Sequence, residues 1–141
     1  MNVFESYHQS VSGILKAIAE NEQESITRAA ELAAKMVEED RLIHVFGTGG
    51  HSIMGAMEVF WRAGGLANTN PLFPAGLSLI DSHPNIERTT GLAKSVLKYY
   101  GVGRGDLLII VNVNGINALT IDAALFGKEL GATIVAVTSP E

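Results

Sequence analysis

The chain has 141 residues, 47% of them hydrophobic and 18% charged, a globular composition of one domain's length. Its longest purely aliphatic run, Leu107 to Val111, is far short of the roughly 20 residues of a spanning helix, which argues against a membrane partner. Ten Lys and Arg against fifteen Asp and Glu give a net charge of -5 with no cationic block, and there is no Cys; nucleic-acid binding, disulfides and thiolate metal sites are excluded at this level. No secretory pattern of basic, apolar and small residues opens the chain, so a cytoplasmic setting is expected.

Between 3 and 20, Val11, Ile14, Leu15 and Ile18 fall at helical spacing. After a break at Asn21 to Gln23, a second stripe with Ile26, Ala30, Ala33 and Val37 runs from Ser25 to Glu39. These read as two helices packed together, with residues 1–40 packing on an α/β domain of residues 41–141. From Leu42 to Phe46 the pattern changes to a short apolar run ending at Gly47, the mark of a strand buried on both faces. Helical spacing returns with Ile53, Met54, Met57, Phe60 and Trp61 and stops at Gly64 and Gly65. A short strand is expected between Leu66 and Phe73, limited by Pro71 and Pro74, and a helix from Leu92 to Tyr100 ended by Gly101. Leu107 to Val111 reads as a strand, Asn117 to Leu130 as a helix stopped by Gly131, and Thr133 to Val137 as a further strand. Alternating strands and helices imply an open parallel sheet covered on both faces. The last strand ends four residues before the chain does, which suggests a domain that is C-terminally incomplete.

In such a sheet, ligands sit beyond the carboxyl ends of the strands. The first turn there is Gly47-Thr48-Gly49-Gly50-His51-Ser52. Its glycines allow close backbone approach, the helix start offers free N–H groups, and Thr48 and Ser52 add hydroxyls: an anion seat fit for phosphate. A plain tight turn with Ser52 as helix cap is the alternative. Neither a dinucleotide fingerprint nor a P-loop fits the spacing. The second turn, Asn112 to Asn117, places Asn112, Asn114, Gly115 and Asn117 at another helix start, as ligand donors or as side chains satisfying the turn itself. Thr138 and Ser139 follow the last strand as a pocket rim.

These residues resemble the sugar isomerase (SIS) domain, a phosphosugar-binding α/β module. The resemblance is closest to the UPF0309 group, in Phe46 to Gly49, His51-Ser52, Glu58 to Leu66, Asn70-Pro71 and Gly105 to Val111. It implies an α-β-α sandwich around a five-stranded parallel sheet of flavodoxin-like order, here lacking its last strand and C-terminal helix, a phosphosugar ligand, and a homodimer or homotetramer. It implies also that Ser52 and the glycine turn hold one side of the ligand. Asn112, Asn114 and Asn117 stand where the family usually has Ser, Ser and Thr or Asn.

Aldose–ketose isomerisation needs a base near the sugar carbons. His51, at the helix start, and Glu58 are the candidates, Glu58 with a pairing to Arg62 at i, i+4 as its plainer role. His44 reads as a satisfied core residue, and His83, Glu87 and Arg88 share a loop. No His or carboxylate cluster has metal spacing, and no cofactor is implied. The expected function is phosphosugar binding, with isomerase activity open. A non-catalytic sensor or remnant acting through assembly is the second reading, and a Rossmann-like nucleotide domain the last.

Overall fold

The computed structural model describes residues 2–139. The chain forms two compact units, one up to Ala34 and one from Lys35.

In the first, Asn2 caps helix α1 (Val3–Asn21) reciprocally: its Oδ1 accepts from the Glu5 N–H at 2.9 Å and its own N–H donates to Glu5 Oε2 at 3.0 Å. Helix α2 (Gln23–Glu38) follows after a single residue, Glu22. One residue cannot reverse the chain into an antiparallel helix pair, which needs about two to five. The expected packing of the two helices on one another is therefore corrected.

In the second unit, strands β1 (Ile43–Gly47), β2 (Thr69–Pro71), β3 (Leu107–Val111) and β4 (Thr133–Val137) form one parallel sheet in the order β2-β1-β3-β4. This is the flavodoxin-like order expected, with four strands among the described residues where the resemblance implies five. Pro71, which cannot donate to a ladder, lies on β2, paired on one side only to β1. The chain runs from β1 outward to β2 and then crosses to β3 on the other side of β1. That reversal opens a crevice beyond the ends of β1 and β3, where both glycine- and Asn-bearing turns emerge.

Helix α3 (Ile53–Trp61) covers one face, and its Gly55 lies so close that a Cβ there would stand 3.0 Å from Val111 Cγ1. On the other face Phe46, Leu108 and Ile110 pack with Ala93, Val96 and Leu97 of α5 (Leu92–Tyr99) and with Leu119 and Ala123 of α6 (Ala118–Glu129). Strand alternation sorts the two sets. Between β2 and α5 lies a one-turn helix, α4 (Pro84–Glu87), where the sequence pattern reads as loop. His83 Nδ1 accepts from the Asn85 N–H at 3.2 Å, and Pro84 supplies the first turn.

The opposite, N-terminal end of the sheet is cross-linked by polar groups. Asp106 accepts from Arg41 Nη2 at 2.8 Å and from the Gly103 N–H at 2.8 Å, and its Oδ2 lies 3.4 Å from His44 Nε2. His44 Nδ1 is 3.0 Å from Asn70 Nδ2. Burial pushes the His44 imidazole below its ordinary pKa despite the neighbouring carboxylate. For Asp106, burial alone would raise the pKa; hydrogen bonds from Arg41 and Gly103 and the nearby positive charges outweigh it and hold the carboxyl low. His44 is thus the satisfied core residue that the sequence suggests. Among the described residues no helix is long and apolar enough to cross a membrane.

Candidate functional site

The turn after β1 folds back over Gly47, where a Cβ would stand 2.2 Å from the Ser52 carbonyl oxygen; only glycine fits. The Thr48 N–H then donates to Val111 O at 3.0 Å, tying this turn to the end of β3. Thr48 is fully buried, and its hydroxyl lies 2.7 Å from that of Thr120. That corrects one expectation: the Thr48 side chain points into the protein, not toward a ligand. Ser52 has helical dihedrals and makes no side-chain cap bond, so the plain capping role is not adopted. Instead its Oγ lies 3.3 Å from the point a Cβ on Gly49 would occupy, and Asn112 Nδ2 lies at the same distance from that point.

Asn112, buried to 6% exposure, is the brace of the second turn. Its Oδ1 accepts from the N–H groups of Gly115 (2.8 Å) and Asn114 (3.2 Å), and its Nδ2 donates to Thr48 O at 3.3 Å. The side chain therefore shapes its own turn and fastens it to the first. Gly115 has φ +67°, and a Cβ there would stand 3.0 Å from Thr138 Oγ1. Thr138 Oγ1 and the Ser139 N–H both donate to Val113 O, at 3.4 and 2.9 Å, which brings the third turn against the second. Asn114 is exposed. Asn117 precedes α6 and makes no capping bond with its side chain.

What Asn117 does with its amide involves Glu87, which the sequence placed only in a loop with His83 and Arg88. Its Nδ2 donates to Glu87 Oε2 at 2.7 Å, while Glu87 Oε1 accepts from the Gly50 N–H at 2.8 Å. The carboxylate, carried by α4, thus spans the two turns. Among the described residues it has no cationic partner within 4 Å; amide donors alone hold its charge.

Beside this seat lies an open cleft of about 440 Å³, lined by His51, Ser52, Gly55, Asn112, Thr138 and Ser139 among others. All three turns contribute to it, and His51 is exposed there. Glu58 does not line it. Its carboxylate accepts from Arg62 Nε at 2.8 and 2.9 Å and from Nη2 at 2.5 Å on the exposed side of α3. The Arg62 hydrogen bond, opposed slightly by burial and reinforced by the guanidinium charge, holds Glu58 below the usual carboxylate range. Such an acid is a poorer proton acceptor. The i, i+4 pairing with Arg62 that the spacing suggests is formed. No group of three or more metal-ligating side chains is found among the described residues.

Comparison with known proteins bears on the fold and the family. The family model of the SIS domain matches residues 6–139. Proteins named UPF0309 from Brucella ovis and Brucella canis are each 37% identical over 140 residues, 97% of this chain; the chain spans about 57% of their length. Among solved structures, a phosphoheptose isomerase from Neisseria gonorrhoeae superposes with a TM-score of 0.70 at 22% identity, covering 96% of this chain and 72% of that one. A phosphoheptose isomerase from Francisella tularensis gives 0.65 at 16% identity, with 98% and 76% covered. The α/β sandwich has flavodoxin-like order, a glycine turn and an Asn-braced turn meet at its switch point, and the family model covers nearly the whole chain: this chain belongs to the SIS domain family.

Proposed function

We propose that the chain binds a phosphorylated sugar, with the phosphate received between the turns after β1 and β3 and the carbohydrate lying in the adjoining cleft. The observation that carries this reading is the meeting of two helix starts, α3 and α6, around a position already filled by an anionic group, the Glu87 carboxylate. Gly47 sets the turn, Gly49 leaves room for an anion, Gly50 supplies an N–H, and Ser52 and Asn117 add polar donors. Asn112 and Gly115 hold the second turn in place, Asn114 is free to reach a ligand, and Thr138 and Ser139 offer hydroxyls at the rim of the cleft. Ser52 and Asn112 border both seat and cleft, which joins the two into one elongated site suited to a small anion with a polyol tail.

The reaction we assign to such a site is sugar-phosphate isomerisation. His51 is the group we place at the proton transfer, because it is exposed in the cleft while Glu58 is engaged by Arg62. The setting we propose is cytoplasmic, on the Cys-free composition, and the assembly a homodimer or homotetramer. Val3, Phe4 and Tyr7 of α1 are 82%, 86% and 71% exposed, and Trp61 of α3 is 71% exposed, apolar surface of the kind that symmetric assembly covers. Light scattering at micromolar concentration reads the assembly directly.

Binding is tested by thermal shift with hexose, heptose and amino-sugar phosphates beside NAD and ATP. A true ligand at a hundredfold excess over Kd adds about 2.7 kcal/mol of stability. No shift with any sugar phosphate at millimolar levels overturns the reading. If a ligand is turned over, His51→Ala abolishes turnover and keeps affinity, whereas Glu58→Gln leaves both unchanged; a turnover loss confined to Glu58→Gln reverses the assignment.

A further inference from the structure

The Glu87 carboxylate stands where the proposed function places a ligand's phosphate, and its role in binding is inferred on the basis of that function. Its two oxygens take the Gly50 N–H at 2.8 Å and Asn117 Nδ2 at 2.7 Å, from positions 37 and 30 residues away along the chain. Oε2 lies 3.4 Å from the point that a Cβ on Gly49 would fill, beside Ser52 Oγ and Asn112 Nδ2. The Gly50 N–H and the Asn117 amide, at the starts of α3 and α6, are donors a phosphate would use. Carboxylate and phosphate cannot share them, because each N–H serves one strong acceptor and two anions at contact distance repel.

We propose that Glu87 is an internal occupant of the anion seat, which any incoming phosphate has to displace. Its carrier, α4, is a single turn between the edge strand and α5, so withdrawing the carboxylate leaves the sheet intact. The apparent dissociation constant is the intrinsic one divided by the fraction of molecules with the seat open; a seat closed about nine times in ten weakens every anion about tenfold. The penalty is equal for inorganic phosphate and for a sugar phosphate. The sugar's contacts in the cleft are then what brings binding within reach of working concentrations, so a bare anion leaves the seat closed where a phosphosugar opens it.

The test is titration of wild type, Glu87→Ala and Glu87→Gln with inorganic phosphate and with hexose, heptose and amino-sugar phosphates, at fixed ionic strength, by calorimetry or phosphorus NMR. Glu87→Gln retains an acceptor for the Gly50 N–H but not the charge, and serves if the Ala variant fails to fold. The expected result is tighter binding of both ligand types by the same factor, about tenfold or more in Glu87→Ala and less in Glu87→Gln. Unchanged or weaker affinity for inorganic phosphate overturns the proposal. So does a loss of sugar-phosphate affinity with phosphate tightened, which would make Glu87 a ligand of the sugar. If no sugar phosphate binds any variant but phosphate tightens in Glu87→Ala, occupancy of the seat stands and the phosphosugar reading falls. If no anion binds any variant, both fall.

Discussion

Replacing Asn112 by Ala removes three hydrogen bonds at once: those its Oδ1 accepts from Gly115 and Asn114, at 2.8 and 3.2 Å, and the one its Nδ2 donates to Thr48 O at 3.3 Å. The side chain is only 6% exposed, so water replaces these partners poorly. At about 1 kcal/mol net for each of the two bonds from backbone amides and less for the long third one, the loss is about 2–3 kcal/mol. For a chain of this size that is roughly 6–12 °C in Tm. Asn112→Asp separates the contributions, since it keeps both acceptor bonds but sets a carboxylate oxygen against the Thr48 carbonyl. Asn112→Ser, the residue the family resemblance leads one to expect, keeps one acceptor for the turn and loses the reach to Thr48, at a cost of about 1 kcal/mol. Urea titration followed by far-UV circular dichroism and by Trp61 fluorescence gives these differences and checks that both probes report one transition. An Asn112→Ala variant within about 0.5 kcal/mol of wild type would refute the bracing role. An Asn112→Asp variant as stable as wild type would refute the bond to Thr48.

Stability should also depend on pH through His44. Its pKa is lowered on folding from 6.5, so the unfolded chain binds the proton more readily; the stabilisation is complete above pH 6.5 and is lost as pH falls below it, by at most about 1.4 kcal/mol per unit. Asp106, depressed from 3.8, adds a second loss as pH falls below that value. His44→Gln should flatten the slope between about pH 7 and 5 in urea titrations, and an unaltered slope would count against a neutral buried imidazole. Gly47→Ala puts a methyl 2.2 Å from a main-chain oxygen and should cost more than about 3 kcal/mol or abolish the cooperative transition, as circular dichroism would show.

Much of the fold was legible because its elements are local. Leu107 to Val111 and Thr133 to Val137 are aliphatic runs bounded by polar turns, and both are strands with the expected limits. Helix α4 was not legible: four residues carry no period, and its helical turn depends on His83 and Pro84 acting together. Strand order came from the family resemblance, whereas the turns after β1 and β3 could be placed at the carboxyl ends of their strands from the strand, turn and helix pattern and the glycine content. Side-chain direction could not, as Thr48 illustrates. A Thr in a glycine turn looks like a ligand donor until Thr120, 72 residues away, is found opposite it. Glu87 was placed only in a loop with His83 and Arg88 for the same reason, since its contacts are with Gly50 and Asn117, both distant in the chain. The Asn side chains divided: Asn112 satisfies its own turn, while Asn117 reaches across to another element.

The polar cross-link of Arg41, His44, Asn70 and Asp106 joins β2, β1 and β3 at the end remote from the turns after β1 and β3. A sheet clamped there works like a hand fan held at its rivet. Strand register at the clamped end is held by these bonds. The amides of Ile43 and Leu107 should then be among the slowest of the sheet to exchange.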